Sequence, residues 1–170
     1  VGCTPVEIRE AIYQCAPFIG FPKTLNAIAA MNEAFTAAGI ALPLPAQGTV
    51  EDADRFEAGL ALQAPLYGEE IAERYQDLPT VYAEAIPRFL TEFAFGDFAT
   101  RAGLDGARRE LLNVVTLATL GGADLQVKAH VQGAEKAGNS RERILAALLH
   151  AMPYMGIPRL FNALNAAREA

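Results

Sequence analysis

The feature that most constrains this chain is that it repeats itself. Residues 2–34 lie on residues 138–170 without a gap, and eleven of the 33 pairs are identical. They are Gly2/Gly138, Ile8/Ile144, Ala11/Ala147, Pro17/Pro153, Gly20/Gly156, Pro22/Pro158, Asn26/Asn162, Ala27/Ala163, Ala30/Ala166, Glu33/Glu169 and Ala34/Ala170. Chance pairing at average composition gives about two or three. The matched glycines and prolines weigh most, because they dictate backbone geometry rather than general apolarity. Duplication explains the pattern, and each copy reads as a helical hairpin. Thr4 suits an N-cap, Pro5 the first helical position, and Glu7 completes a capping box. Ile8, Ile12 and Cys15 then share one helical face. Pro17 and Gly20 end that helix, and Pro22 starts another carrying Leu25, Ile28 and Phe35. The second copy uses Ser140 as cap, Ile144, Leu148 and Leu149 as apolar face, and Pro158 as the restart.

Between the copies, Gly39, Pro43, Pro45 and Gly48 mark residues 36–50 as a linker. Helices are expected at about 51–64, 69–76 and 79–95, the last kinked or split at Pro87. Asp105 caps a helix over about 106–120, with Leu112, Val115, Ala118 and Thr119 at helical spacing. Gly121-Gly122 breaks it, and Asp124 caps a helix ending at Gly138, placed as a C′ glycine. No segment alternates with the period of a strand. The fold class is all-α.

Composition narrows the function. With 52% apolar and 20% charged residues, the chain can bury a core. A net charge of −6 without a Lys/Arg run gives no footprint for nucleic acid. No apolar stretch approaches the roughly 20 residues of a membrane span. Two cysteines, Cys3 and Cys15, make no disulfide framework, so the expected location is cytoplasmic. The chain opens on Val1-Gly2-Cys3-Thr4, and together with the repeat this predicts that the natural protein continues upstream.

Few polar residues stand where chemistry could use them. His130 lies among Val127, Ala129, Val131 and Ala134, where a histidine serves either as a core hydrogen-bonder or as an acid–base group. His150 sits on an apolar helix, opposite Gln14 in the repeat. Glu110 reads either as a first-turn acid favoured by the helix dipole or as a carboxylate in a partly apolar groove. Arg108 and Arg109 could hold a substrate carboxylate bidentately or simply face water. Asn26 and Asn162 recur at one place and suggest a buried side-chain-to-backbone hydrogen bond. Two histidines 20 residues apart, with no C-x-x-C, supply no recognisable metal-ligand set. No phosphate loop or nucleophile elbow is present.

These pieces form a family pattern. Glu92-Phe93-Ala94-Phe95-Gly96-Asp97, Arg101-Ala102-Gly103-Leu104-Asp105, Arg109-Glu110-Leu111 and His130-Val131-Gln132-Gly133-Ala134 resemble the core of carboxymuconolactone decarboxylase family proteins. Tyr154-Met155-Gly156-Ile157-Pro158 and Asn162-Ala163-Leu164 resemble its closing hairpin. The resemblance implies that residues 52–170 are one complete module, 36–51 a linker, and 1–35 the closing hairpin of an upstream, truncated module. It implies a homo-oligomer, hexameric for single modules or trimeric for double ones. It also implies one of two chemistries. One is cofactor-free decarboxylation of a carboxylated lactone or related small acid from aromatic breakdown. The other is alkyl hydroperoxidase D-like peroxide reduction by a C-x-x-C. That motif's cysteine places, counted from His130, are Ala123 and Gln126, so such thiols would have to lie upstream. A non-catalytic assembly subunit is the third reading. For the lyase, the resemblance casts His130 as proton donor and Glu110 as the partner that orients it. Arg108, Arg109, His150 and Tyr154 become substrate-binding candidates, and no metal or cofactor is required.

Overall fold

The computed structural model describes residues 2–68 and 70–170. Residue 69, where one helix was expected to begin, lies outside them. The described residues are helical with no strand. They divide into two compact units, residues 1–45 with 103–170, and residues 46–102. No helix among them is long and apolar enough to cross a membrane.

The first unit contains α1 (Pro5–Ala37), α5 (Gly106–Leu120), α6 (Asp124–Lys136), α7 (Arg141–Met155) and α8 (Ile157–Arg168). Helix α1 starts as its sequence dictates. The Thr4 side chain accepts from the Glu7 amide, and Glu7 accepts from the Thr4 amide at 2.7 Å. That bond, then the Thr4 hydroxyl and Arg108, hold the Glu7 carboxyl below the usual carboxylate range. The helix breaks at Gly20 (φ 76°, ψ 164°), so α1 is two arms around a kink. Gly156, its match in the repeat, takes the same conformation (φ 82°, ψ 158°) between α7 and α8. A side chain strains either position.

Asp105 caps α5 by accepting from the Arg108 amide, and Ser140 caps α7 by accepting from the Arg143 amide. Helix α6 departs from expectation: Asp124 is its first residue, and Ala123 stands at the cap position without a side-chain bond. Val114 and Leu117 of α5 meet Val127 and Val131 of α6 and Ile144 and Leu148 of α7 in the core, all nearly fully buried. Each such side chain contributes about 1.5–3 kcal/mol. The core stripe of α5 is therefore rotated from the one expected, since Leu112 and Val115 are only partly covered. Leu149, expected on the apolar face of α7, is 60% exposed. Asn26 and Asn162 are both exposed, so neither makes the buried hydrogen bond anticipated for it.

The second unit holds α2 (Arg55–Tyr67), α3 (Glu70–Arg74), α4 (Thr80–Phe89) and a π-helical segment, Leu90–Ala99. Helix α2 packs on the π segment through two glycines, Gly59 and Gly96, that let the backbones touch. Pro87 deprives the junction of one amide donor, and the Thr91 hydroxyl lies 3.1 Å from the Pro87 carbonyl.

Candidate active site

The site lies where the first arm of α1 meets α5 and α6. Glu110, on α5, is 4% exposed. Its Oε2 lies 3.0 Å from Nδ1 of His130 on α6, and the His130 side chain keeps 15% of its surface open. The turn that brings the two helices back alongside each other uses Gly121 (φ 75°) and Gly122 (φ 70°). Arg159 of α8 secures that turn, donating to the Thr119 carbonyl at 2.7 Å. The left-handed φ of Gly121 favours glycine there, and a Cβ would also meet the Arg159 Nε at 2.8 Å and push that side chain aside.

Behind the pair runs a buried polar network. Asn113 donates from Nδ2 to Oε1 of Glu110 at 3.1 Å. Gln14, on α1, donates from Nε2 to Oδ1 of Asn113 at 3.0 Å. Arg109 donates from Nη1 to Oε1 of Gln14 at 2.8 Å. Gln14, Arg109, Asn113 and Glu110 are all under 5% exposed. Phe18, one turn beyond Gln14, sets its ring edge-on to His130 with centroids 5.6 Å apart. A carboxylate thus sits out of water, held by donors on both oxygens, against a partly open imidazole beside an aromatic wall. Such a pair can orient the ring and pass a proton.

The other candidates lie differently. Arg108 is exposed and pairs with Glu7. Arg109 is buried in the network. His150 is exposed on α7, and Tyr154 is 81% exposed there, and neither joins the Glu110–His130 pair. Cys3 is exposed. Cys15 packs beside Thr116 with Sγ 3.4 Å from its hydroxyl, and burial pushes its thiol pKa up despite that contact. A thiol so placed is a poor nucleophile. Sequence reasoning missed Gln14, Asn113 and Phe18. The available signal was Glu10 and Gln14, four residues apart and so on one face of the helix.

The profile of the carboxymuconolactone decarboxylase family matches residues 84–169. The chain belongs to that family. The match contains both Glu110 and His130. A 4-carboxymuconolactone decarboxylase of Acinetobacter baylyi is 25% identical over 120 residues, covering 71% of this chain and 89% of the relative. A nitrosuccinic acid decarboxylase of Metarhizium robertsii is 32% identical over 111 residues, covering 64% of this chain and 76% of the relative.

Proposed function

We propose that the protein is a carboxy-lyase acting on a small, activated carboxylic acid, with His130 as proton donor and Glu110 as its orienting partner. The observation that carries this reading is the buried Glu110 carboxylate bonded to a partly open His130 ring, in a family whose named relatives are decarboxylases. A carboxylated lactone and a nitro acid share one trait. Each has an electron-withdrawing group able to take up the electron pair left when carbon dioxide departs. The carbon–carboxyl bond breaks, carbon dioxide leaves, and the pair moves into the lactone carbonyl system or the nitro group. A proton from Nε2 of the protonated His130 then forms the new carbon–hydrogen bond, and the ring regains its proton from water. Glu110, bonded at Nδ1, fixes the ring so that Nε2 is the nitrogen left to transfer the proton. Phe18 supplies an apolar side against which the departing carboxylate is poorly solvated.

The test is carbon dioxide release from 4-carboxymuconolactone and from nitrosuccinate, each supplied alone, beside consumption of an organic hydroperoxide with a dithiol. Release from either acid is the expected result. No release from these or from a panel of carboxylated lactones and α-nitro acids, with hydroperoxide consumed, would sink the lyase reading.

We further infer a homo-oligomer built in threes, as the family resemblance implies. Leu149, Tyr154, Ile157 and Phe161 on α7 and α8 are 60, 81, 55 and 58% exposed, an apolar surface suited to a second subunit. Light scattering at micromolar concentration should give three or six chains, and a stable monomer would count against it.

A further inference from the structure

Resting on the reading of His130 and Glu110 given above, we propose that Gln14 is a positioning residue of that site. It belongs to the first copy of the repeat, and it fixes from across the helix interface which way the Glu110 shell points. The chemistry of the chain's two ends shows why. Arg109 has only donors, so the atom of Gln14 that faces it at 2.8 Å has to be the carboxamide oxygen. The Gln14 amino group then faces Asn113, which accepts at Oδ1. That leaves the Asn113 amino group turned to Glu110, whose carboxylate only accepts. Two carboxamides that could each be reversed by half a turn are locked in one sense, because a pure donor stands at one end and a pure acceptor at the other. The order runs Arg109 to Gln14 to Asn113 to Glu110. Glu110, filled at Oε1 by Asn113, presents Oε2 to His130 and requires a proton on Nδ1 of the ring. The chemistry toward a substrate then falls to Nε2.

The arrangement is particular to Gln14. Its neighbour in the repeat is His150, which is exposed and makes no such chain. Gln14 is 3% exposed and lies 99 residues from Asn113 in sequence, so the contact exists only once α1 is seated on α5. Glutamate in its place keeps the acceptor for Arg109 but has nothing to donate to Asn113. The Asn113 amide then reverses to donate to the new carboxylate, and its oxygen turns against Oε1 of Glu110. A substitution that strengthens one contact of residue 14 should therefore undo the site two residues away along the network.

The experiment uses Gln14→Glu and Gln14→Met, and reads the ¹⁵N shifts of the histidine rings without substrate. The chain has two histidines, so exposed His150 is an internal control. In the unmodified protein, at a pH where both rings are neutral, His130 should carry its one remaining proton on Nδ1. In both variants it should drift toward the tautomer mixture shown by His150. With whichever acid proves to be decarboxylated, kcat should fall at least tenfold with KM within about threefold. Asn113→Leu should give the same loss, and adding Gln14→Met to it should make matters no worse, since both break one chain. Should one Gln14 variant fail to fold, the other carries the comparison. A His130 ring pattern unchanged in a folded Gln14 variant overturns the proposal, as does a kcat loss in Gln14→Met that simply adds to that of Asn113→Leu. If no substrate is ever found, the ring shifts still decide the role of Gln14, while the lyase reading fails separately.

Discussion

Replacing His130 with asparagine should lower turnover at least a hundredfold while moving the thermal midpoint by only a few degrees. The asparagine amino group stands near the place of Nδ1, so it can still donate to Oε2 of Glu110, which lies 3.0 Å from the ring nitrogen. The buried carboxylate keeps its partner, and what is lost is the acid. A positioned general acid is worth about 10²–10⁴ in rate, which sets the size of the effect. Alanine is the less informative change. It strips a donor from a carboxylate that is 4% exposed, and leaving that group short of a partner costs about 1–3 kcal/mol whether or not His130 does chemistry. The two variants compared by steady-state kinetics and thermal melting therefore separate the catalytic role from the structural one. Turnover within threefold of the parent in a folded His130→Asn would mean the proton comes from elsewhere.

Alanine at Gly59 or Gly96 should destabilise the protein by about 1–3 kcal/mol, against the usual sign of a glycine-to-alanine change inside a helix. A Cβ on Gly59 would lie 2.4 Å from the Thr91 carbonyl oxygen and 2.8 Å from the Gly96 nitrogen. A Cβ on Gly96 would lie 2.3 Å from the Arg55 carbonyl oxygen. All three obstacles are backbone, so no side chain can swing aside, and α2 has to part from the π segment. Helix propensity alone favours alanine by about 1 kcal/mol, so the sign of the change decides the matter. Chemical denaturation followed by circular dichroism measures it. Either variant as stable as the parent would show that the two backbones do not meet.

The helical class and most of its punctuation were legible in the sequence, because caps and glycine stops are local chemistry. Thr4, Asp105 and Ser140 cap as their residue types dictate, and Gly20 and Gly156 break the helix at matched places. The inward face of α1 was not legible. Ile8, Ile12 and Cys15 form an apolar stripe, yet Ile8 is 37% exposed while Glu10 and Gln14 are fully buried. What decides the rotation is the partner: α5 offers Arg109 and Asn113, and a polar face of α1 satisfies them. Periodicity read on one helix carries no record of the helix it will meet. The pairing of Glu110 with His130 came from likeness to a family rather than from spacing, since 20 residues and an intervening turn fix no geometry by themselves. The π segment had no signature either, because its Phe-rich run reads like any apolar helix, and the two glycines through which it meets α2, Gly59 and Gly96, lie far apart in sequence.

The seat of α1 on α5 also bears on the order in which this chain can assemble. Helices α5 to α8 follow one another through short turns, and the Glu110–His130 contact spans 20 residues. The Arg109–Gln14 bond spans 95, and closing that longer loop costs about 1.4 kcal/mol more in chain entropy, from the logarithmic dependence on loop length. The entropy of bringing α1 home must be met before any of its bonds form, whereas the α5–α8 core gathers itself locally. The Glu110–His130 pair can therefore come together early, within a half-built unit, but it acquires its fixed orientation only when the most distant stretch of this unit arrives.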